Sequence, residues 1–158
     1  PSLERLKVLL GIRKDPFDSF ELIDDENQKN KFETIYFFLV AKSLGEYDKN
    51  ISPASNNFRA LIHKHSQLYE IGLHASWSSH DNFLLLQKEK NTIEKIINSA
   101  VYKSRQHYLK FSFPDTYWQL MQLGIKEEYS MGYGTANGFR ASYAGSFYWF
   151  DLINNCSS

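Results

Sequence analysis

Apolar runs that resemble strands recur along the chain. Residues 34–40, Thr-Ile-Tyr-Phe-Phe-Leu-Val, carry no charge and are nearly all β-branched or aromatic, a pattern typical of a strand buried on both faces of a parallel sheet. A second short run covers residues 68–73 and ends at His74, and a third covers residues 108–111. The pattern therefore predicts three strands.

Amphipathic segments lie before, between and after these runs. Apolar residues recur in them at helical spacing, with polar residues between. Helices are predicted over residues 2–10, about 17–29, 56–66, 82–100 and 114–123. Gly11 and Gly124 follow the first and the last helix, as glycine often does at a helix end. Helices that alternate with strands indicate an α/β fold with a parallel sheet or barrel.

The last quarter of the chain has a different pattern. Between Gly134 and Ser158 only Arg140 and Asp151 are charged, whereas five aromatic residues lie between positions 143 and 150. This segment predicts either an irregular buried β region or an aromatic-lined site. A buried Arg140 would need a carboxylate or several carbonyl acceptors, so the sequence favours either a pair with Asp151 or a substrate contact.

Composition and charge narrow the class of protein. The 158 residues include 18 basic and 18 acidic side chains, and a net charge of +0 predicts no nucleic-acid partner. The single cysteine, Cys156, excludes an internal disulfide framework. No apolar run approaches the ~18 residues of a membrane span. No signal peptide is visible, but the sequence starts at Pro1, so the cytoplasm and the cell envelope both stay open as locations.

Chemically versatile side chains follow the second predicted strand. Residues 70–80 read Glu-Ile-Gly-Leu-His-Ala-Ser-Trp-Ser-Ser-His, which places His74 at the strand end and His80 six residues later. Ligand-binding groups of α/β folds cluster at the carboxyl ends of parallel strands. Because imidazole is a preferred zinc ligand, this spacing predicts a metal site. Two surface histidines without a site are the alternative.

Two of these segments together resemble a known family. Residues 34–40, followed about thirty residues later by residues 70–74, Glu-Ile-Gly-Leu-His, are similar to the polysaccharide deacetylase family, the NodB-homology or carbohydrate esterase family 4 domain. In that family a Thr-initiated, Phe-rich strand precedes a helix, and Glu-Ile-Gly-X-His begins the metal-binding motif. Residues 129–133 and 138–141 resemble a divergent bacterial branch. The resemblance covers about residues 15–152 and implies an incomplete or distorted (β/α) barrel.

The resemblance implies a metal-dependent hydrolase that removes N-acetyl groups from amino sugars in cell-envelope polysaccharides. In the family one Asp and two His hold a divalent metal such as zinc, and a second Asp acts as general base. His74 matches the first histidine, whereas the second position, four residues later, is Ser78; His80 could replace it. Arg105 matches an arginine that orients the catalytic Asp, and His107 stands where the family's Arg-X-Pro motif has its proline. Both are candidate catalytic residues.

The expected carbohydrate partner suggests further contacts. Aromatic faces stack on the apolar C–H patches of sugars, so Trp77, Tyr133 and Trp149 are candidate substrate-binding residues, together with Arg140. In a chain with 16% aromatic residues, core packing is the alternative for each aromatic ring.

The family's aspartate motif is not evident in this chain. Asp15 and Asp18 flank a predicted helix, and Asp24-Asp25 fit a charged helix face. We therefore expect one deacetylase-like domain over residues 1–158, truncated at its N-terminus and with little activity by itself. A catalytically inactive deacetylase-like module that binds carbohydrate or scaffolds other proteins is the second interpretation. An unrelated α/β domain with incidental histidines is the third.

Overall fold

The computed structural model describes residues 2–42 and 45–157, and the chain divides into two compact units. The first unit, Pro1–Thr34, contains helices α1 (Leu3–Leu9) and α2 (Phe20–Asn30). Both helices lie where the hydrophobic pattern predicts them, and neither contains a buried residue. The prediction of one domain stays a prediction.

A parallel sheet of four strands organises the second unit, Ile35–Ser158, with the strands in chain order. The strands are β1 (Ile35–Leu39), β2 (Glu70–Ala75), β3 (Lys103–Gln106) and β4 (Glu127–Glu128). The helices between them are α3 (Asn56–Ser66), α4 (Phe83–Ile97) and α5 (Asp115–Gln122), and a short antiparallel pair follows, β5 (Phe150–Asp151) and β6 (Cys156–Ser157). The predicted α/β class and parallel sheet are confirmed.

One face of the sheet packs against the helices. Leu73 of β2 is fully buried among Ile62 of α3 and Ile93 of α4, and burying a side chain of this kind contributes ~1.5–3 kcal/mol. Tyr36 and Phe38, alternate residues of β1, pack against the same core. Since successive side chains of a strand point to opposite faces, the residues between them belong to the other face.

The second face of the sheet carries the residues of functional interest. His74 of β2 and Arg105 of β3 are paired in the register of the two strands. Gly72 lies two residues before His74 and therefore on the same face of β2. A Cβ atom at Gly72 would lie 2.4 Å from the ring of Phe37. Glycine therefore lets the Phe37 ring lie directly on β2, next to the site.

The sequence pattern did not predict strand β3, because its four residues, Lys-Ser-Arg-Gln, are all polar. Lys103 opens the strand, and its ammonium contacts the carboxylates of Glu70 at 2.9 Å and Glu127 at 3.0 Å. These partners come from the neighbouring strands β2 and β4, so distant residues compensate the charge of this strand.

The prediction of a strand over residues 108–111 is wrong. Residues His107–Leu109 form a 3₁₀ turn, and Tyr108 and Leu109 have φ angles of 58° and 52°. These values lie in the left-handed region, which a strand excludes. The apolar residues of this run therefore belong to a turn, and that turn places His107 directly after β3.

Local signals set the ends of the longer helices. Ser55 caps α3 and Asn82 caps α4. Their side-chain oxygens accept hydrogen bonds from the backbone N–H groups of Phe58 and Leu85, respectively. The predicted range 56–66 matches α3. The predicted range 82–100 is longer than α4, which ends at Ile97 because Asn98 adopts a left-handed conformation. Over the ranges described, no helix is long and apolar enough to span a membrane.

Candidate functional site

Three loops meet where β1, β2 and β3 end, and we call this region the carboxyl edge. Tyr47 and Asp48 follow β1, Trp77 and Ser78 follow β2, and the turn that starts at His107 follows β3. Hydrogen bonds and ring contacts connect all three loops. Parallel strands all point one way, so they bring these residues to one edge.

Two histidines are in direct contact at the carboxyl edge. Nε2 of His74 lies 2.9 Å from Nδ1 of His107, and Nε2 of His107 lies 3.1 Å from the carbonyl oxygen of Tyr47. Because a carbonyl only accepts, His107 carries its hydrogen on Nε2. In the neutral ring, Nδ1 of His107 then presents a lone pair to His74.

Burial keeps His74 neutral. The pKa of His74 falls from 6.5 to about 4, chiefly because the ring is removed from water and also because His107 and Arg105 lie close to it. The backbone of Arg105 and the carboxylate of Asp48 act in the opposite direction. At neutral pH His74 is therefore an uncharged imidazole, the form that binds metal ions and accepts protons.

Asp48 organises the loop after β2, and the sequence analysis missed it. Its carboxylate is 1% exposed and accepts bonds from the backbone N–H of Trp77 at 2.8 Å, the backbone N–H of Ser78 at 3.3 Å and the hydroxyl of Ser78 at 3.1 Å. The available signal was its position, because Asp48 and Glu46 are the two acidic residues of the loop that follows the first predicted strand.

A second buried carboxylate supports the same loop from the other side. Glu89 of α4 is 2% exposed and accepts the backbone N–H of Ser76 at 3.1 Å. Burial raises the pKa of Glu89, hydrogen bonds from Ser76 and Ser79 oppose that effect, and the charge of Asp48 adds to it. Two acids, one from a loop and one from a helix, therefore fix the start and the middle of the loop.

Three aromatic rings lie beside the histidines; we call Tyr47, Trp77 and Tyr108 the aromatic cluster. Tyr47 stacks on Trp77 with ring centroids 4.2 Å apart, and Tyr108 meets both rings edge-on. The ammonium of Lys110 lies 3.7 Å from the centroid of Trp77, a cation–π contact. Tyr47 and Tyr108 are exposed, so their rings offer stacking surface to a ligand.

Arg105 has partners other than the catalytic aspartate that the resemblance implies. Its guanidinium donates to the carbonyl of Tyr129 at 2.8 Å. The carboxylate of Glu128 also acts on it, and burial raises the pKa of Glu128 while hydrogen bonds from Ser130 lower it. Arg105 thereby joins β3 to the residues that follow β4.

The structure places the two other predicted metal ligands in separate contacts. Ser78 is bound to Asp48, and Nδ1 of His80 lies 3.3 Å from a carboxylate oxygen of Asp81. Neither forms a hydrogen bond with His74. Within residues 2–42 and 45–157, no three side chains of His, Cys, Asp or Glu come together as a metal-ligand group. His74 and His107 supply two imidazole donors at one place, which suits a zinc-like ion.

The predicted substrate residues of the last quarter have contacts of their own. Arg140 is exposed, and its guanidinium lies 4.9 Å from the ring centroid of Phe111. Trp149 lies 5.2 Å from the ring of Tyr117, and the exposed Tyr133 lies close to Gly138. None of these contacts involves the aromatic cluster.

The predicted pair between Arg140 and Asp151 is not formed. Asp151 is buried and accepts from the indole N–H of Trp118 at 2.6 Å and from the side-chain amide of Asn154 at 2.7 Å. It therefore anchors the β5–β6 turn to α5, and neutral donors satisfy its charge.

A scan against protein-family models found no match, and a search of curated proteins found none either. Functional inference therefore depends on the residues of the carboxyl edge and on the resemblance of residues 34–40 and 70–74.

Proposed function

We propose that this chain is a polysaccharide deacetylase-like protein that hydrolyses N-acetyl groups on amino sugars of cell-envelope polysaccharides. The observation that carries the proposal is the contact between His74 and His107, next to the aromatic cluster at the carboxyl edge. The proposed architecture is an incomplete or distorted (β/α) barrel, which the parallel order of β1 to β4 supports.

The residues of this edge have separable roles in the proposed reaction. The neutral ring of His74 offers a lone pair for a divalent ion. Such an ion, when bound, would lower the pKa of a water ligand and polarise the acetamide carbonyl. Tyr47 and Tyr108 present exposed faces on which a sugar ring can stack. Arg105, held by the Tyr129 carbonyl, adds positive charge where an oxyanion develops.

Acetate release from N-acetylglucosamine oligomers tests the proposal. We expect the full chain with added zinc to release acetate slowly, because the aspartates of the family are not evident. His74→Ala should abolish the release, and His63→Ala, an exposed histidine of α3, should leave it unchanged. No release above the His74→Ala background would contradict the hydrolase assignment.

A non-catalytic carbohydrate-binding module is the second candidate, and Asp48 favours it. Among the described residues, the three hydrogen bonds to the Asp48 carboxylate come from Trp77 and Ser78 in the loop after β2, so this carboxylate holds the loop and is not free to act as a general base. Under this alternative, the wild type binds the oligomers, Tyr108→Ala weakens that binding, and no acetate is released.

A further inference from the structure

The facing nitrogens of His74 and His107 have the spacing of a pair that can close on a metal ion. They are 2.9 Å apart. A tetrahedral ion with two imidazole ligands at ~2.0–2.1 Å holds the two nitrogens about 3.3 Å apart. A small rotation of either ring, which opens the gap by about 0.4 Å, would admit the ion. Both histidines lie at the ends of adjacent paired strands, so the backbone already fixes their approach.

The outer nitrogens strengthen this interpretation. Histidines that bind metals usually donate their other N–H to a carbonyl or carboxylate, which fixes the tautomer. Nε2 of His107 does so with the carbonyl of Tyr47. That contact leaves Nδ1 of His107 as a lone pair directed at His74, which is the arrangement of a ligand held ready.

His74 has an unsatisfied nitrogen whichever neutral tautomer it adopts. Its Nδ1 is buried and has no hydrogen bond of good geometry among the described residues, although the Arg105 backbone lies close enough to raise the pKa of His74. With the hydrogen on Nε2, His74 donates to His107 and leaves a buried lone pair without a donor. With the hydrogen on Nδ1, two lone pairs face each other at 2.9 Å. An unsatisfied buried group calls for an explanation such as a bound ion, and a cation between the rings removes the second conflict.

We propose that His74 and His107 together bind one divalent cation of the zinc type, with His107 as the second imidazole ligand in place of Ser78 or His80. The inference rests on the proposed function for its role in deacetylation, but the binding itself is measurable without it. Two charges face the pair: the carboxylate of Asp48 favours a cation, and the guanidinium of Arg105 opposes it. Water or substrate would complete the coordination of such an ion.

Calorimetric titration of the full chain with zinc tests the pair. We expect the wild type to bind one equivalent. His74→Ala and His107→Ala should each raise the Kd at least tenfold, while the matched control His80→Ala should stay within twofold of the wild type. The double variant should bind no more weakly than the weaker single variant. Wild-type-like affinity in His107→Ala, or no binding by the wild type, would overturn the inference.

A second measurement avoids substitution, in case a variant does not fold. Addition of zinc to ¹⁵N-labelled wild type should shift the side-chain nitrogen resonances of both His74 and His107 and leave those of His63 in place. A shift of His80 without His107 would contradict the pair. If zinc binds at both histidines and no acetate is released, the proposed function fails and the inference stands. If acetate is released while His107→Ala binds zinc normally, the inference fails and the proposed function stands.

Discussion

Replacement of Asp48 by asparagine should destabilise the protein more than any surface change of the same kind. An asparagine side chain keeps one carbonyl oxygen, which can still accept the N–H of Trp77. The side-chain NH₂ of the asparagine then faces the backbone N–H of Ser78, so that two donors oppose each other. In the wild type, the carboxylate oxygen at this place accepts from both the N–H and the hydroxyl of Ser78. The residue is 1% exposed, so water cannot repair the conflict.

The size of the effect follows from these contacts. A hydrogen bond to a charged group contributes ~1.5–3 kcal/mol, and a buried donor left unpaired costs a further ~1–3 kcal/mol. We expect Asp48→Asn to lower the free energy of unfolding by about 2–4 kcal/mol. With a urea slope of ~1–3 kcal/mol/M, the midpoint should fall by roughly 1–2 M.

Urea unfolding followed by tryptophan fluorescence measures this change, because Trp77 lies in the loop that Asp48 holds. Asp81→Asn is the matched control, since the Asp81 side chain is 75% exposed and its carboxylate lies 3.3 Å from the neighbouring His80; its effect should stay within about 0.5 kcal/mol. Equal midpoints for the two variants would refute the view that Asp48 anchors the loop.

Three further changes have defined outcomes. Gly72→Ala places a Cβ 2.4 Å from Phe37 and should cost about 1–3 kcal/mol in thermal unfolding; Phe37→Ala in the same chain should recover part of it. Lys103→Met, which removes both ion pairs of β3, should lower the urea midpoint by the equivalent of about 1 kcal/mol, and no change would contradict a stabilising role. Because the pKa of His74 is lowered in the folded state, the unfolded chain binds a proton at His74 more readily. The stability that neutral His74 contributes above pH 6.5 should therefore be lost as the pH falls towards about 4. In urea titrations, the free energy of unfolding should fall between pH 7 and pH 4 by about 2–3 kcal/mol less in His74→Gln than in His63→Gln, which keeps His74. An equal fall in both variants would contradict a buried neutral His74.

Elements that depend on neighbouring residues in the sequence were predictable. The helices α3 and α4 follow the periodicity and have visible caps in Ser55 and Asn82. Strand β1 follows from a charge-free run of β-branched and aromatic residues. The position of His74 near the end of β2 also follows from the sequence, because the strand pattern stops there.

Elements that depend on distant residues were not predictable. Strand β3 is polar, and the carboxylates that stabilise Lys103 come from residues far away in the chain. Asp48 lies in a loop with no periodicity, and its importance depends on a contact with residues about thirty positions later. The contact between His74 and His107 spans 33 positions, so no local pattern could have paired them.

Acetate release measured at increasing zinc concentration is the decisive test of a metal-dependent deacetylase. With an N-acetylglucosamine oligomer and the wild-type chain, we expect a rate that rises with bound zinc, saturates at one ion per chain and disappears in His74→Ala. A rate independent of zinc, or oligomer binding with no acetate released at any zinc concentration, would contradict a metal-dependent deacetylase at the carboxyl edge.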